Sequence, residues 1–124
     1  MNEASASYRD KARESLAGAT SELANSRYDN VANRAYYACY QAAIVALIAA
    51  GSPRRRRWDH DFVQARFAGE LIGRRKLFPS NLRPLLTELA AVRVQADYEA
   101  RPVSRRLAER ALRDATRFLQ SVLG

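Results

Sequence analysis

Residues 28–53 read YDNVANRAYYACYQAAIVALIAAGSP, and this stretch decides the fold. Val31, Ala35, Ala38, Ala42, Val45 and Ala49 form one row at helical spacing, with Tyr36, Tyr37, Tyr40, Ile44, Leu47 and Ile48 around it. A helix apolar on more than one side belongs at the centre of a domain. Ser26-Arg27-Tyr28-Asp29 has the spacing of a capping box at its start. Gly51 and Pro53 stop it, because glycine takes the left-handed cap and proline cannot continue the ladder.

Working outward, residues 4–24 set Tyr8, Ala12, Leu16, Ala19 and Leu23 on one face of an amphipathic helix. Beyond the centre, Asp59 can cap a shorter helix in which His60, Val63, Phe67 and Leu71 share a face, ending near Gly73. Ser80 or Asn81 can cap a fourth helix that tolerates Pro84 in its first turn and turns Leu82, Leu85, Leu86, Leu89, Arg93 and Ala96 inward until Pro102 ends it. Ser104 caps a fifth, with Leu107, Ala111, Ala115, Phe118 and Val122 as its apolar row. The sequence has no strand-like alternation, long Gly/Ser linker or internal repeat. The expected fold is all-α, an antiparallel bundle of four long helices plus one short one, in a single domain over residues 1–124.

The chain has 124 residues, 48% hydrophobic and 27% charged, a balance that folds. Its 21 Lys+Arg exceed its 13 Asp+Glu by eight, and all of that excess lies beyond residue 52. Nineteen of the cations are Arg, whose fork suits phosphate or carboxylate. The lone Cys39 excludes an intrachain disulfide, and with the lone His60 it cannot build a Cys/His zinc site, so metal could enter only through carboxylates; no metal or cofactor is expected. Any imidazole chemistry must run through His60 or a partner chain. The longest apolar run, Ala42 to Ala50, falls far short of the roughly 18 residues of a membrane span. A cytoplasmic protein is expected.

Some residues break the apolar pattern. Arg93 interrupts an inward row four residues before Asp97, with Tyr98 next. It is either half of a structural i,i+4 ion pair or a phosphate holder at a cleft or dimer seam. His60 opens the inward face of the third helix, either as a satisfied structural histidine or as an acid/base. Tyr28, Tyr36, Tyr37 and Tyr40 read as core or interface material before base-stacking platforms. Arg54-Arg55-Arg56-Arg57-Trp58 and Arg74-Arg75-Lys76 are basic clusters that either contact nucleic acid or stay solvated. Arg105, Arg106, Arg110, Arg113 and Arg117 line the outer side of the last helix. Nucleotide, protease and hydrolase signatures are absent from the sequence.

The segment Tyr28 to Ala43 resembles the second helix of HEPN-domain proteins, whose small prokaryotic branch carries an aromatic pair followed by small residues. His60 with Phe67 resembles that branch's third helix, and Leu89, Arg93, Asp97 and Tyr98 resemble its L…R…DY signature. The resemblance implies a compact helical domain, often a homodimer. It also implies a toxin–antitoxin, defence or stress-response setting beside a minimal nucleotidyltransferase. Many HEPN proteins are metal-independent ribonucleases in which an Arg, a polar residue and a His four to six positions beyond the Arg meet across a dimer. Arg93 fits the first element. Val94 departs from the second, and residues 98–100 contain no His.

His60 could supply the missing imidazole from another helix or protomer, or Tyr98 or Asp97 could take its place. In some members of the family a partner nucleotidyltransferase modifies a tyrosine near the catalytic pattern with AMP, and Tyr98 lies in a comparable neighbourhood without the matching motif. Three functions follow as expectations: an RNA- or nucleotide-binding HEPN component of a toxin–antitoxin or defence pair, with or without ribonuclease activity, a non-catalytic binding or interaction module, and a plain helical oligomerisation protein.

Overall fold

The computed structural model describes residues 3–53 and 55–124; Arg54, expected to contact nucleic acid, lies outside them. Five helices and no strand are found among the described residues. They are α1 (Glu3–Ala24), α2 (Tyr28–Ala49), α3 (His60–Arg66) continued by a π-helical segment (Phe67–Arg74), α4 (Leu82–Tyr98) and α5 (Arg105–Leu123). The all-α expectation holds.

Helix α2 is the axis of the bundle and packs against α1, α3, α4 and α5. Ala32, Ala35, Ala38, Ala42 and Ala43 are fully buried, and side chains this small let neighbouring helices approach closely. Larger residues fill the remaining space: Leu82, Leu85, Leu86 and Leu89 from α4, Phe118 from α5, and Phe67, whose ring centroid lies 5.2 Å from that of Phe118. No helix of the described residues is long and apolar enough to cross a membrane.

The helix ends differ in part from the sequence expectation. Ser26 does not cap α2. It ends α1 in the left-handed region at φ 59°, with Ser26 N–H donating to Leu23 O and Arg27 N–H to Glu22 O. This paired return is the Schellman arrangement, ordinarily built on glycine. Asp29 instead accepts a hydrogen bond from Val103 N–H at 2.9 Å, tying the start of α2 to the α4–α5 connection. Gly51, at φ 94°, ends α2 as expected, with Gly51 N–H donating to Ile48 O and Ser52 N–H to Leu47 O.

Asn81 occupies the N-cap position of α4 without a side-chain cap, and α4 stops at Tyr98 rather than at Pro102. Ser104 does cap α5, accepting from Leu107 N–H at 3.1 Å. The π-helical segment is a feature the apolar spacing does not announce. Gly69 and Gly73 weaken α-helix there, and Arg75 N–H donates five residues back to Glu70 O.

Replacing Ser26 with glycine removes the Cβ penalty of the left-handed position at some entropic cost, so the variant should gain about 0.5–1 kcal/mol. A urea midpoint equal to or below that of the wild type would contradict this.

Candidate functional site

The tyrosine-rich turns of α2 set the geometry. Asn33, Tyr36, Tyr37 and Tyr40 lie at i, i+3, i+4 and i+7 on one face. Tyr36 is only 1% exposed, and its hydroxyl lies 2.7 Å from His60 Nδ1 while accepting from Gln64 Nε2 at 3.0 Å. Gln64 follows His60 by one turn of α3, so a single helix face meets the buried phenol. Tyr40 donates to the Trp58 carbonyl, and its ring stacks on His60 with centroids 4.5 Å apart. His60 also lies 5.5 Å from the Tyr36 ring and 5.6 Å from the Tyr37 ring.

Arg93 enters from α4. Its guanidinium carbon is 5.5 Å from the Tyr36 centroid, 5.6 Å from Tyr37 and 5.7 Å from Tyr98, and its NH2 donates to the Tyr37 hydroxyl at 3.3 Å. Nε is buried and faces Asp97 Oδ2 at 3.1 Å, as an ion pair whose N–H is not aligned for a hydrogen bond. Asn33 Nδ2 donates to both Asp97 oxygens, at 3.1 and 3.2 Å, while Arg34 donates to Asn33 Oδ1 and lies over the Tyr37 ring. His60 and Arg93, in different helices, thus meet the same tyrosine pair within one chain. Tyr98 is 73% exposed beside them.

Burial, then the positive charge of Arg93, lowers the His60 pKa below its ordinary 6.5, against the opposite pull of Asp61 and Asp59. Burial raises the Tyr36 hydroxyl and pushes Tyr40 up to about 12. Burial of Arg93 works against its charge, and Tyr37, Asp97 and Tyr98 outweigh it, so its pKa is raised. At neutral pH the site holds a cation, an uncharged imidazole and un-ionised Tyr36 and Tyr40 hydroxyls.

Of the basic clusters, residues 55–57 run directly into Trp58 and α3, whereas residues 74–76 lie toward the far end of α2. Arg55 stacks on Phe62 at 3.7 Å, while Arg56 and Arg57 are exposed. Arg74 is paired with Glu70, and Arg75 NH1 donates to Ala50 O at the far end of α2. Ala50 lies about 20 Å along the helix from Tyr36. Lys76 is exposed. Among the described residues no group of three or more His, Cys, Asp or Glu side chains could hold a metal.

The sequence pattern of the HEPN domain matches residues 5–124. The chain belongs to the HEPN domain family. No curated protein is a significant match. Within this HEPN domain the aromatic pair Tyr36–Tyr37 supports the histidine and the arginine together. Sequence reading marked His60 and Arg93 and missed Gln64, Asn33 and Arg34. The available signal was helical phase: Gln64 follows His60 by four residues, and Asn33 precedes Tyr37 by four.

The single histidine makes its titration readable by proton NMR: His60 should titrate below 6.5, and Arg93→Ala should move it upward. Because the unfolded chain then binds more protons, this residue's contribution to stability is complete above pH 6.5 and declines as pH falls toward the folded pKa. A His60 midpoint at or above 6.5 would contradict the burial argument.

Proposed function

We propose that this HEPN domain binds RNA or a nucleotide through Arg93 and His60, as one component of a prokaryotic toxin–antitoxin or defence pair. The observation that carries the reading is the convergence of the two side chains on Tyr36 and Tyr37. Each also keeps a nitrogen with no hydrogen bond among the described residues, NH1 on Arg93 and Nε2 on His60. A guanidinium and an imidazole at one place suit a phosphodiester. The net charge of +8 attracts a polyanion to the surface. Exposed Val94 and Tyr98, four residues apart on α4, offer an apolar edge to a second copy, in keeping with a homodimer beside a minimal nucleotidyltransferase partner.

Cleavage without metal would require His60 to take the proton of a ribose 2′-OH while Arg93 holds the phosphate. The second reading, a binding module without catalysis, draws support from the Arg93–Asp97–Asn33 network, which commits part of Arg93 to the fold.

Total RNA and tRNA, presented with EDTA to wild type, Arg93→Ala and His60→Ala, separate these readings. Binding should fall about tenfold in Arg93→Ala. Cleavage by wild type alone would make the domain a ribonuclease, and binding without cleavage would make it a module. No RNA or nucleotide affinity at physiological salt would sink the proposal.

Reversing Arg55, Arg56 and Arg57 to Glu should weaken RNA binding and flatten its dependence on salt, because phosphate contacts release counterions. An unchanged salt slope would remove this loop from the interface.

A further inference from the structure

We infer that Gln64 and Tyr36 hold His60 in the tautomer with its proton on Nε2, so that Arg93 and His60 both donate to an acceptor-only phosphate oxyanion and His60 offers it no base. The ligand part of this inference rests on the function proposed above; the tautomer part rests on the hydrogen bonds alone.

The Tyr36 hydroxyl has one hydrogen and is too buried to give it to water. Two side-chain atoms reach it. Gln64 Nε2, at 3.0 Å, can only donate, so the hydroxyl hydrogen is left for His60 Nδ1 at 2.7 Å. The other two hydroxyls on this face are engaged elsewhere, Tyr40 on the Trp58 carbonyl and Tyr37 with Arg93. A neutral imidazole that accepts at Nδ1 carries its hydrogen on Nε2. Stacking on Tyr40 at an interplanar angle of 19° and on Tyr36 at 22° holds the ring in place.

Adding a second proton would put N–H at Nδ1 against a hydroxyl whose own hydrogen then has no acceptor. Arg93 from α4 opposes that charge as well, while Asp59 and Asp61 favour it from the start of α3. Facing a ligand, Nε2–H and the Arg93 guanidinium match phosphate oxygens, which only accept. A ribose 2′-OH finds no acceptor at Nε2, so this protomer binds a phosphodiester without activating the 2′-OH through His60. Tyr36 and Gln64 act here as positioning residues.

With one histidine in the chain, long-range 1H–15N spectra of uniformly labelled protein, taken above the His60 titration, report its tautomer without assignment ambiguity. Wild type should show a protonated Nε2 and an unprotonated Nδ1. Gln64→Glu should exchange them, because a carboxylate accepts the Tyr36 hydrogen and the phenol oxygen then accepts from Nδ1–H. Tyr36→Phe should give a mixture of tautomers. If it fails to fold, Gln64→Glu, at a partly exposed position, still decides. An Nδ1–H ring in the wild type, or no exchange in Gln64→Glu, overturns the inference.

Inorganic phosphate followed on the same His60 resonances should bind about tenfold more weakly to Gln64→Glu, where a lone pair replaces the donor. The expected tautomers without phosphate binding in any variant would overturn the phosphate role and the proposed function, and would leave the Gln64–Tyr36–His60 relay standing.

Discussion

A phenol buried to the depth of Tyr36 needs a hydrogen-bond partner that water cannot supply, and the arrangement around it follows from that need. The partners are His60 and Gln64, so satisfying one hydroxyl fixes the position and rotation of α3 on α2. The neighbouring tyrosines repeat the device toward other elements. Tyr40 reaches the backbone at Trp58, just before α3, and Tyr37 reaches Arg93 on α4. Three rings on one helix face therefore anchor the surrounding elements by their polar tips while their bodies lie against the core.

This explains how a charged side chain is tolerated in the inward row of α4. The Arg93 side chain is 18% exposed, and a lone guanidinium there would be costly. Asp97 supplies the opposite charge, Asn33 holds both oxygens of that carboxylate, and aromatic faces surround the cation. The network that makes the arginine affordable also limits it. Nε is turned to Asp97 and one hydrogen of NH2 to Tyr37, which leaves NH1 and the other NH2 hydrogen for a ligand. Most of the remaining cations lie on exposed surfaces, where they shape the field around the molecule more than any particular contact.

The apolar rows were legible because burial imposes a helical period on the sequence. The α2 row from Val31 to Val45 and Leu82 through Leu89 are core where their spacing places them, whereas Ala49, one step further along the α2 row, is exposed. Helix ends were less legible, because a serine followed three positions later by an acid fits more than one local solution. Ser26 closes the preceding helix, and Asp29 is taken by Val103, 74 residues away, which no local pattern encodes. The π-helical stretch was equally hidden, since it changes the hydrogen-bond register without disturbing which residues are apolar. At the site, His60 and Arg93 stood out as exceptions to periodicity. What joins them did not, because Tyr36 and Tyr37 satisfy the apolar pattern and the direction of a hydroxyl leaves no trace in it.

The position four residues beyond Arg93 holds Asp97, immediately before residues 98–100, where the family pattern would place a histidine and this sequence has none. That carboxylate is already engaged by Arg93 and Asn33, so it is a structural counter-ion before it is a proton acceptor. The one imidazole of the chain stands on α3, near the ring pair that Arg93 also meets. Bringing imidazole and guanidinium together then depends on how two helices dock against α2, whereas two residues on one helix would be aligned by helical phase alone. Tyr36 and Tyr37 accordingly connect the stability of the bundle to the geometry of the site, and a substitution that loosens either ring acts on both at once.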